Sequence, residues 1–427
     1  MSACGAAPRA TVHCLTRCET AIASESFITP PSATSSFCAA ILGSHRNNAS
    51  SVPFFLYEPQ SMPTFTNCNR SVHLGKHSAS LLLVDALEHH PWRTRDMSLA
   101  CLFIIPALLD WMVEGLCTAL SDDEHVDIIS RTVRPHLHRG RHVFLAASWG
   151  QVLRYGNRTA SSCVHRSLPG ILQAHFRHEA PCHIGLGFVT DFDLAASSAP
   201  WHRASRVRVS QPPRRISVPS ISAPRPYLLE FSSGYRPAHP YRDRKQFLHA
   251  ATRLDNRSIV ITPSFNPQPE LPANRSVLPW CKGSYHHYHY CVLRRGLSAS
   301  QMLRLRTRAH FSLFMRGDDE SSDRIQNAFS MLQIPLIVGE KNVNWLPFPS
   351  AIPWRRIVKV VPQAAFERDP TQAVADAADA VSPEDRNRRR ELMQKHLPDL
   401  LWTARDSRAA TNFLREVAAA RHANCRR

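Results

Sequence analysis

The sequence predicts an α/β protein of two domains, each built around a parallel β-sheet. Its 427 residues exceed one ordinary core and suit two domains of about 150–200 residues. Short apolar runs alternate with helix-length stretches along most of the chain, as expected when helices bury both faces of the strands. A stretch rich in proline, serine and arginine, residues 197–226, separates two such series and is predicted to be a linker or long surface loop.

The first series follows residues 1–50, which mix Ser, Ala, Cys and Thr without periodicity. We expect this leader to be disordered or poorly specified. Order begins at residue 51, and the first domain is placed at residues 51–196. Its predicted elements are strands at Val52–Tyr57, Cys101–Pro106 and His142–Ala147 and a helix at Ala107–Leu120.

The second series places another domain at residues 227–380, followed by a helical end at residues 381–427. Ser382 and Pro383 are a capping hydroxyl and a proline suited to the first helical position, and Asp406 precedes a second helix at 407–421. The predicted strands of this domain are Tyr227–Phe231, Ser258–Thr262, Phe311–Phe314, Ile334–Val338 and Ile357–Val361.

The charge balance favours an anionic partner without choosing one. Lys plus Arg number 52 against 34 acids, a formal net charge of +18. Nucleic acid, a membrane surface, a sugar nucleotide and an acidic polysaccharide all fit. A nucleic-acid or polyanion binder is the main non-enzyme alternative, but the basic residues are dispersed and no zinc-finger, basic-zipper or RNP motif is present. The basic run at 386–390 is predicted to be a solvated helix face that could hold a polysaccharide.

The twelve cysteines include no CxxC pair, so a structural zinc site is not expected. Cys281 and Cys291 are the favoured disulfide pair, enclosing a loop in which His287 and His289 could instead share a strand face as metal ligands. Five N-x-Ser/Thr sequons favour a luminal protein, although no signal peptide or membrane-spanning run is visible. The sequon asparagines are Asn48, Asn69, Asn157, Asn256 and Asn274.

The segment 311–338 carries the clearest chemical pattern: strand, loop, helix and strand. Helix 322–333 has apolar residues on one face, and the loop before it brings several polar groups to the helix amino terminus. Free backbone N–H groups, the positive end of the helix dipole, hydroxyls and guanidiniums suit a diphosphate. The alternative is that the serines only cap the helix and the arginines are solvated. The groups concerned are Arg316, Gly317, Ser321, Ser322 and Arg324.

This segment resembles the carboxyl-terminal signature of exostosin-type glycosyltransferases. Five landmarks occur in the family's order: Arg316–Asp318, Ser321–Arg324, Ile334–Val338, Leu346–Phe348 and Trp354. Weaker matches extend the resemblance over roughly residues 52–365, at Phe54–Pro59, Arg93–Thr94, Leu102–Pro106, Gly140–Phe144 and Leu229–Arg236.

The resemblance implies a GT-B architecture, with two Rossmann-like domains whose parallel sheets face a central cleft. It implies inverting transfer of a sugar from a nucleotide diphosphate, with UDP favoured, to a glycan or glycoprotein, with no metal cofactor and no nucleic-acid partner. It further implies membrane association in the Golgi or endoplasmic reticulum, and a homo- or hetero-oligomer is possible. His142, on the acceptor-side domain, matches a family histidine and is the candidate base. The donor-binding residues carried over are Arg236, Arg316, Gly317, Asp318, Ser321, Ser322, Arg324 and Asn327.

Two departures from the family pattern leave its activity open. Many relatives have an acid where Asn327 stands, and an amide loses the charge assistance that a carboxylate gives to a ribose hydroxyl. Small residues often precede the Ile-Pro strand, whereas this chain has Leu332 and Gln333. A catalytically inactive member is therefore a second alternative. The donor sugar and the acceptor are not specified by the sequence.

Overall fold

The chain divides into two compact units, each described here by itself. Unit 1 comprises Met1–Leu186, Ser198–Val207 and Arg408–Arg427, and unit 2 comprises Gly187–Ser197 and Arg208–Ser407. Residues 187–196 thus group with the second unit, and the last helix groups with the first. The computed structural model describes residues 38, 51–63, 79–107, 122–136, 141–145, 172–175, 183–185, 190, 193, 218–232, 242–251, 258–263, 286–287, 290–293, 306–316, 323–404 and 406–420.

Unit 1 is built on a six-stranded sheet in which every strand pair is parallel. Its strands are β1 (Phe54–Leu56), β2 (Arg93–Thr94), β3 (Leu102–Ile105), β4 (Arg141–Leu145), β5 (Leu172–His175) and β6 (His183–Gly185), in the order β2-β1-β3-β4-β5-β6. All four residues of β3 are buried, as expected for a strand covered on both faces.

The described helices of unit 1 are α1 (Ala79–Glu88), α2 (Asp122–Val133) and α9 (Ala409–Ala419), the last helix of the chain. Helix α9 packs against α1. Thr411 of α9 shares a hydrogen bond of 3.0 Å with His90, and the Arg415 guanidinium lies 5.7 Å from the centroid of the Trp92 ring. The carboxyl terminus therefore contributes to the core of the amino-terminal unit.

Unit 2 contains a seven-stranded sheet with the order β13-β12-β11-β7-β8-β10-β9. All strand pairs are parallel except the edge pair β9–β10. The strands are β7 (Tyr227–Ser232), β8 (Ser258–Pro263), β9 (His286–His287), β10 (Tyr290–Leu293), β11 (Ala309–Phe314), β12 (Ile334–Val338) and β13 (Lys359–Val361). Without β9, this order is that of the doubly wound dinucleotide-binding sheet.

Helices cover both faces of this second sheet. The described helices of unit 2 are α3 (Arg242–Ala250), α4 (Asp323–Ser330), α5 (Trp354–Ile357), α6 (Gln363–Arg368), α7 (Pro370–Asp379) and α8 (Pro383–Leu400). Helix α3 packs against α7, and α4 packs against α8. Stacked and edge-on rings of Phe231, Phe247 and Phe366 join β7, α3 and α6.

The predicted fold class is confirmed: the chain is α/β with two Rossmann-like units, the components of a GT-B fold, and a helical carboxyl end. Each of the eight predicted strands is present with small shifts at its ends. The strand predicted at 357–361 begins at Lys359, because Ile357 ends α5. The predicted helix at 107–120 lies outside the described residues beyond Ala107.

Helix α4 is shorter than predicted, ending at Ser330 rather than at residue 333. Leu332 has φ 54°, in the left-handed region, and the Gln333 amide donates to the Ala328 carbonyl at 2.9 Å. A left-handed residue just past a helix closes its last turn and is usually glycine. This chain holds a fully buried leucine in a strained conformation at that position.

The predicted start of α8 is confirmed in its capping atoms. Ser382 Oγ accepts a hydrogen bond from the Asp385 amide at 3.2 Å, and Pro383 occupies the first helical position. Substituting Ser382→Ala should lower the free energy of unfolding by about 1 kcal/mol, because the Asp385 amide loses its acceptor. Urea denaturation followed by circular dichroism measures this change.

Ser382→Asp is the control for the capping prediction, since an aspartate oxygen can accept the same hydrogen bond. It should leave the urea midpoint close to that of the unmodified protein. Equal midpoints for the Ala and Asp variants would show that the cap contributes nothing to α8.

The basic run at 386–390 is not the solvated face that the sequence predicts. Arg389 donates through Nη1 to the carbonyls of Arg356, Ile357 and Val358 at 3.3, 3.2 and 2.8 Å, respectively. Its Nε donates to the Asp385 carboxylate at 2.9 Å. Arg386 and Arg390 also donate to backbone carbonyls. These cations satisfy the exposed ends of neighbouring elements, so only Arg388 of the run's arginines is fully exposed.

A buried carboxylate joins two segments of unit 2, each close in sequence to a point where the chain crosses between the two units. Asp193 Oδ2 accepts from the amide and the hydroxyl of Thr190 at 3.0 and 2.9 Å. Asp193 Oδ1 accepts from the amide and the hydroxyl of Thr403, both at 3.0 Å. Residues 190–193 follow the passage at residue 186, and Thr403 precedes the passage at residue 407. We call this group the Asp193 clasp.

A disulfide joins Cys38 to Cys101, at the start of β3. It ties one residue of the predicted leader to the core of unit 1. The pairing predicted from spacing cannot be judged, because Cys281 lies outside the described residues, although Cys291 is in β10. Within the described ranges, no helix is both long and apolar enough to cross a membrane.

Candidate functional site

The second sheet has a topological switch point between β7 and β11. From β7 the chain continues to β8 on one side, whereas from β11 it continues to β12 on the other. Right-handed crossovers in opposite directions place the following helices, α3 and α4, on opposite faces of the sheet. The connections therefore diverge at the carboxyl ends of these two strands, where open α/β sheets bind their ligands.

Two arginines predicted from the sequence lie at this switch point. Arg324, in the first turn of α4, donates through Nη1 to the Ser232 carbonyl, the last of β7, at 3.4 Å. Arg324 is half-buried, whereas Arg316, two residues after β11, is exposed. The structure thus brings residues 92 positions apart to one edge of the sheet.

Helix α3 adds two charged residues to the same edge. Arg244 is buried and donates through Nη2 to the Met315 carbonyl, just after β11, at 3.5 Å. Asp243 is half-buried, and burial raises the pKa of its carboxyl. A hydrogen bond with Gln363 opposes this rise, the Glu367 charge adds to it, and the Arg242 and Arg316 charges oppose it. Arg244 of α3 therefore contacts the end of β11 and Arg324 of α4 contacts the end of β7, so that both helices bring a cation to this edge.

Beneath this edge, β7 carries a buried acid. Glu230 is 1% exposed, and its Oε2 accepts a hydrogen bond from Ser312 of β11 at 3.0 Å. Phe231 contacts α3, so the alternation of strand side chains places Glu230 on the α4 face. Glu230 lies two residues before Ser232, whose carbonyl holds Arg324. The acid is thus part of the sheet core under the switch point.

The arrangement is suited to hold an anion. The positive end of the α4 dipole points towards the strand ends, where Arg316 and Arg324 add formal positive charge. Planar guanidiniums bind phosphate oxygens in a bidentate manner. The remaining loop residues of the predicted cradle, Gly317, Asp318, Ser321 and Ser322, and also Arg236, lie outside the described residues.

Asn327 does not lie open beside this cradle. It is 1% exposed, one turn after Arg324 on α4. A ribose hydroxyl could reach its amide only after neighbouring groups had moved. The role carried over from the family stays a prediction that the packing of α4 does not favour.

His142 lies in the core of unit 1. It is 3% exposed, its ring stacks on Phe103 with centroids 4.7 Å apart, and its Nε2 lies 3.2 Å from the Tyr57 hydroxyl. As the second residue of β4, it precedes three strand residues, Val143 to Leu145, before the carboxyl edge. A general base must reach the proton that it removes. In this structure the imidazole is enclosed by core residues, Phe103 and Tyr57 among them.

Among the described residues, one group could supply three metal ligands: Asp85, Glu88 and His89 on and after α1. Its ligand atoms lie within 4.8 Å of one another. The group is exposed or half-exposed and belongs to unit 1. Exposed acidic groups of this kind are common without an ion, so we assign no metal to it.

Three residues of this edge are absent from the sequence prediction: Glu230, Asp243 and Arg244. A glutamate inside the apolar run of β7 is itself a signal, because an acid is rarely buried without a partner. Asp243 and Arg244 stand in a charged helix start that resembles any solvated surface. Their contact with the end of β11 depends on pairing across 71 residues, which no local pattern reveals.

No protein-family model matches the chain, and no curated protein matches its sequence. Solved structures show a similar course of the backbone. One is "alpha-glucosyltransferase in complex with UDP and a 13-mer DNA containing a central A:G mismatch", with 11% identity, coverage of 81% of this chain and 96% of that chain, and a TM-score of 0.39.

Two further similar structures are a Staphylococcus and a plant protein. The S. aureus MnaA–UDP co-structure has 10% identity, covers 84% of this chain and 94% of that chain, and has a TM-score of 0.34. The catalytic domain of Starch Synthase IV from Arabidopsis thaliana, bound to ADP and acarbose, has 12% identity, coverage of 74% and 66%, and a TM-score of 0.35. At these values the similarity says nothing about what this chain binds, so a ligand must be inferred from its own residues.

Proposed function

We propose that this protein is a nucleotide-sugar-dependent glycosyltransferase of exostosin type that binds its donor diphosphate at the β7–β11 switch point. The observation that carries the proposal is the position of Arg324 and Arg316 at the carboxyl ends of these two strands. The resemblance of residues 311–354 to the exostosin signature supports the choice of a nucleoside diphosphate over other anions.

The chemistry follows from the charges at this edge. As the glycosidic bond to the donor phosphate breaks, negative charge grows on the departing diphosphate. The guanidiniums of Arg316 and Arg324 and the amino terminus of α4 stabilise that charge, so the reaction is proposed to need no metal there. Attack by an acceptor hydroxyl from the opposite side inverts the anomeric centre, and the hydroxyl proton passes to a base. The burial of His142 makes it a poor candidate for direct contact with that proton.

A second candidate function is binding of a nucleotide sugar without transfer. The burial of His142 and of Asn327, together with the amide in place of an acid, favours it. This candidate and the transferase share the diphosphate site, so nucleotide binding supports both. Only release of nucleoside diphosphate in the presence of an acceptor separates them.

The proposal is tested by a panel of UDP-sugars, each assayed for thermal stabilisation of the protein and, in the presence of a set of glycan acceptors, for UDP release. UDP is the first probe because the exostosin resemblance favours a UDP-sugar donor. A rise in melting temperature that saturates with nucleotide concentration is expected for at least one donor. Stabilisation without UDP release from any donor would favour the second candidate. No stabilisation by UDP or by any UDP-sugar would remove both.

We further propose that the protein is located in the lumen of the Golgi or endoplasmic reticulum. The buried Cys38–Cys101 disulfide supports an oxidising compartment, because structural disulfides are rare in the cytosol. Mass spectrometry of the protein purified with blocked thiols should recover the linked Cys38 and Cys101 peptides. Recovery of both peptides as free thiols would argue against this compartment.

A further inference from the structure

The carboxyl end of α4 is held by two buried guanidiniums. Arg225 Nη2 donates to the Met331 carbonyl at 2.9 Å, and Arg390 Nε donates to the Leu332 carbonyl at 3.3 Å. The two arginines are 6% and 3% exposed. Cations that bind the last carbonyls of a helix also stabilise the negative end of its dipole. We call Arg225, Arg390 and the carbonyls they bind the α4 latch.

His310 is part of this latch. Arg390 Nη2 makes a hydrogen bond with Nδ1 of His310, the second residue of β11. A guanidinium has only donors, so Nδ1 must be the acceptor and the imidazole must be neutral, with its proton on Nε2. The latch as it stands therefore requires unprotonated His310.

The charged groups that act on His310 are all positive among the described residues. Arg390 and Arg386 face it from α8, and Arg225 faces it from the segment before β7. Burial lowers the pKa of His310 to about 4, and these three guanidiniums add to the effect in that order of influence. The same crowding lowers the pKa of Arg225 and of Arg390 to about 10, with burial again the larger cause.

We propose that His310 makes the α4 latch sensitive to acid, so that protonation of its imidazole releases the carboxyl end of α4. A proton taken up from solvent by Nδ1 turns that acceptor into a donor opposite the Arg390 guanidinium. It also adds a fourth cation to Arg225, Arg386 and Arg390. The repulsion moves Arg390 from the Leu332 carbonyl, and the left-handed turn at Leu332 loses its anchor. No covalent bond changes, and the step reverses when the pH rises.

The lowered pKa of His310 determines how the stability of the protein changes with pH. In the unfolded chain His310 takes up its proton near pH 6.5, whereas in the folded protein it does so near pH 4. Stability from the neutral imidazole is fully present above about pH 6.5 and is lost as the pH falls towards 4. Because His310 is half-exposed, we expect the unfolding equilibrium constant to rise about tenfold through His310 between pH 7 and pH 5.

The direct test is an NMR titration of the histidine ring signals in the full-length protein, with His310 assigned by mutation. The midpoint for His310 is expected below pH 5. Hydrogen exchange of the Gln333 amide, which closes the last turn of α4, should accelerate beyond its intrinsic rate along the same curve. A His310 midpoint near pH 6.5, or a Gln333 exchange rate that does not follow the His310 titration, would overturn the proposal.

Two variants separate the latch from general acid effects. His310→Asn keeps an acceptor close to the position of Nδ1 but does not titrate. In this variant the roughly tenfold rise of the unfolding equilibrium constant that His310 causes between pH 7 and pH 5 should disappear. His89→Asn, at an exposed histidine beside α1, should leave that change as it is. Equal pH profiles for the unmodified protein and His310→Asn would contradict the latch. These measurements need no nucleotide, so they stand or fall separately from the proposed function.

Discussion

Arg324→Ala is expected to reduce donor-dependent UDP release by about 100- to 1,000-fold, on the order of 2.7–4 kcal/mol of transition-state stabilisation. The guanidinium lies at the amino terminus of α4, held against the Ser232 carbonyl. There it can meet the charge that develops on a departing diphosphate. The measurement is steady-state UDP release with the donor that the panel identifies. If the protein binds without transfer, the same variant should weaken UDP affinity measured by calorimetry.

Two controls make the Arg324 prediction specific. Arg388→Ala removes one exposed guanidinium from α8 and lowers the net charge equally, so it tests whether charge alone matters. Arg324→Lys keeps the charge but loses the planar fork, and should recover only part of the activity. Turnover or affinity in Arg324→Ala equal to that of Arg388→Ala would exclude the switch-point cradle, provided that both variants melt at similar temperatures.

The strands of both sheets could largely be predicted because buried parallel strands are continuous apolar runs. Ile334–Val338 is apolar throughout and buried throughout, so the sequence and the structure agree on its bounds. The strands absent from the prediction are short or polar. The two-residue strands β2 and β9 and the run Leu172–His175 of β5 carry no such signal, because they are defined by their neighbours in the sheet.

Only the part of the candidate site whose residues are close together in the sequence could be predicted. Arg316 and Arg324 flank one loop, so the strand–loop–helix pattern places both at the same strand end. Glu230 and Ser312 pair across 82 residues, and only the order of strands brings them together. The basic run at 386–390 shows the same limit, because its partners are backbone carbonyls, which a sequence does not display as a pattern. Cysteine spacing likewise does not determine pairing, and the Cys38–Cys101 disulfide was not predicted.

Asp193→Ala is expected to lower the free energy of unfolding by about 3 kcal/mol. The carboxylate is fully buried and is the acceptor for two backbone amides and two hydroxyls of Thr190 and Thr403. Its loss leaves those buried donors without their acceptor, and hydroxyls can turn away but amides cannot. Burial raises the pKa of the Asp193 carboxyl while the four hydrogen bonds oppose that rise, so each donor matters to the ion. Urea denaturation followed by tryptophan fluorescence measures the change.

Asp376→Ala is the matched control, since Asp376 is exposed on α7 and accepts one hydrogen bond from Gln372 at 2.7 Å. It should shift stability by a few tenths of a kcal/mol, in the range of exposed substitutions. Thr403→Val keeps the shape of the side chain and removes one hydroxyl donor, so an intermediate loss of about 1–2 kcal/mol is expected. An Asp193→Ala protein as stable as Asp376→Ala would show that the clasp contributes nothing.

Removal of the clasp should also have a local effect, which a measurement of overall stability does not report. Asp193 and Thr403 are 210 residues apart, and two hydrogen bonds to the Asp193 carboxylate join the segment at 190–193 to the segment after α8. If the carboxylate is what holds them together, Asp193→Ala should speed hydrogen exchange at the Thr190 and Thr403 amides together. Exchange deep in β12, such as at Leu336, should change only as far as global unfolding requires. Acceleration at one threonine alone would mean that the two segments are held independently.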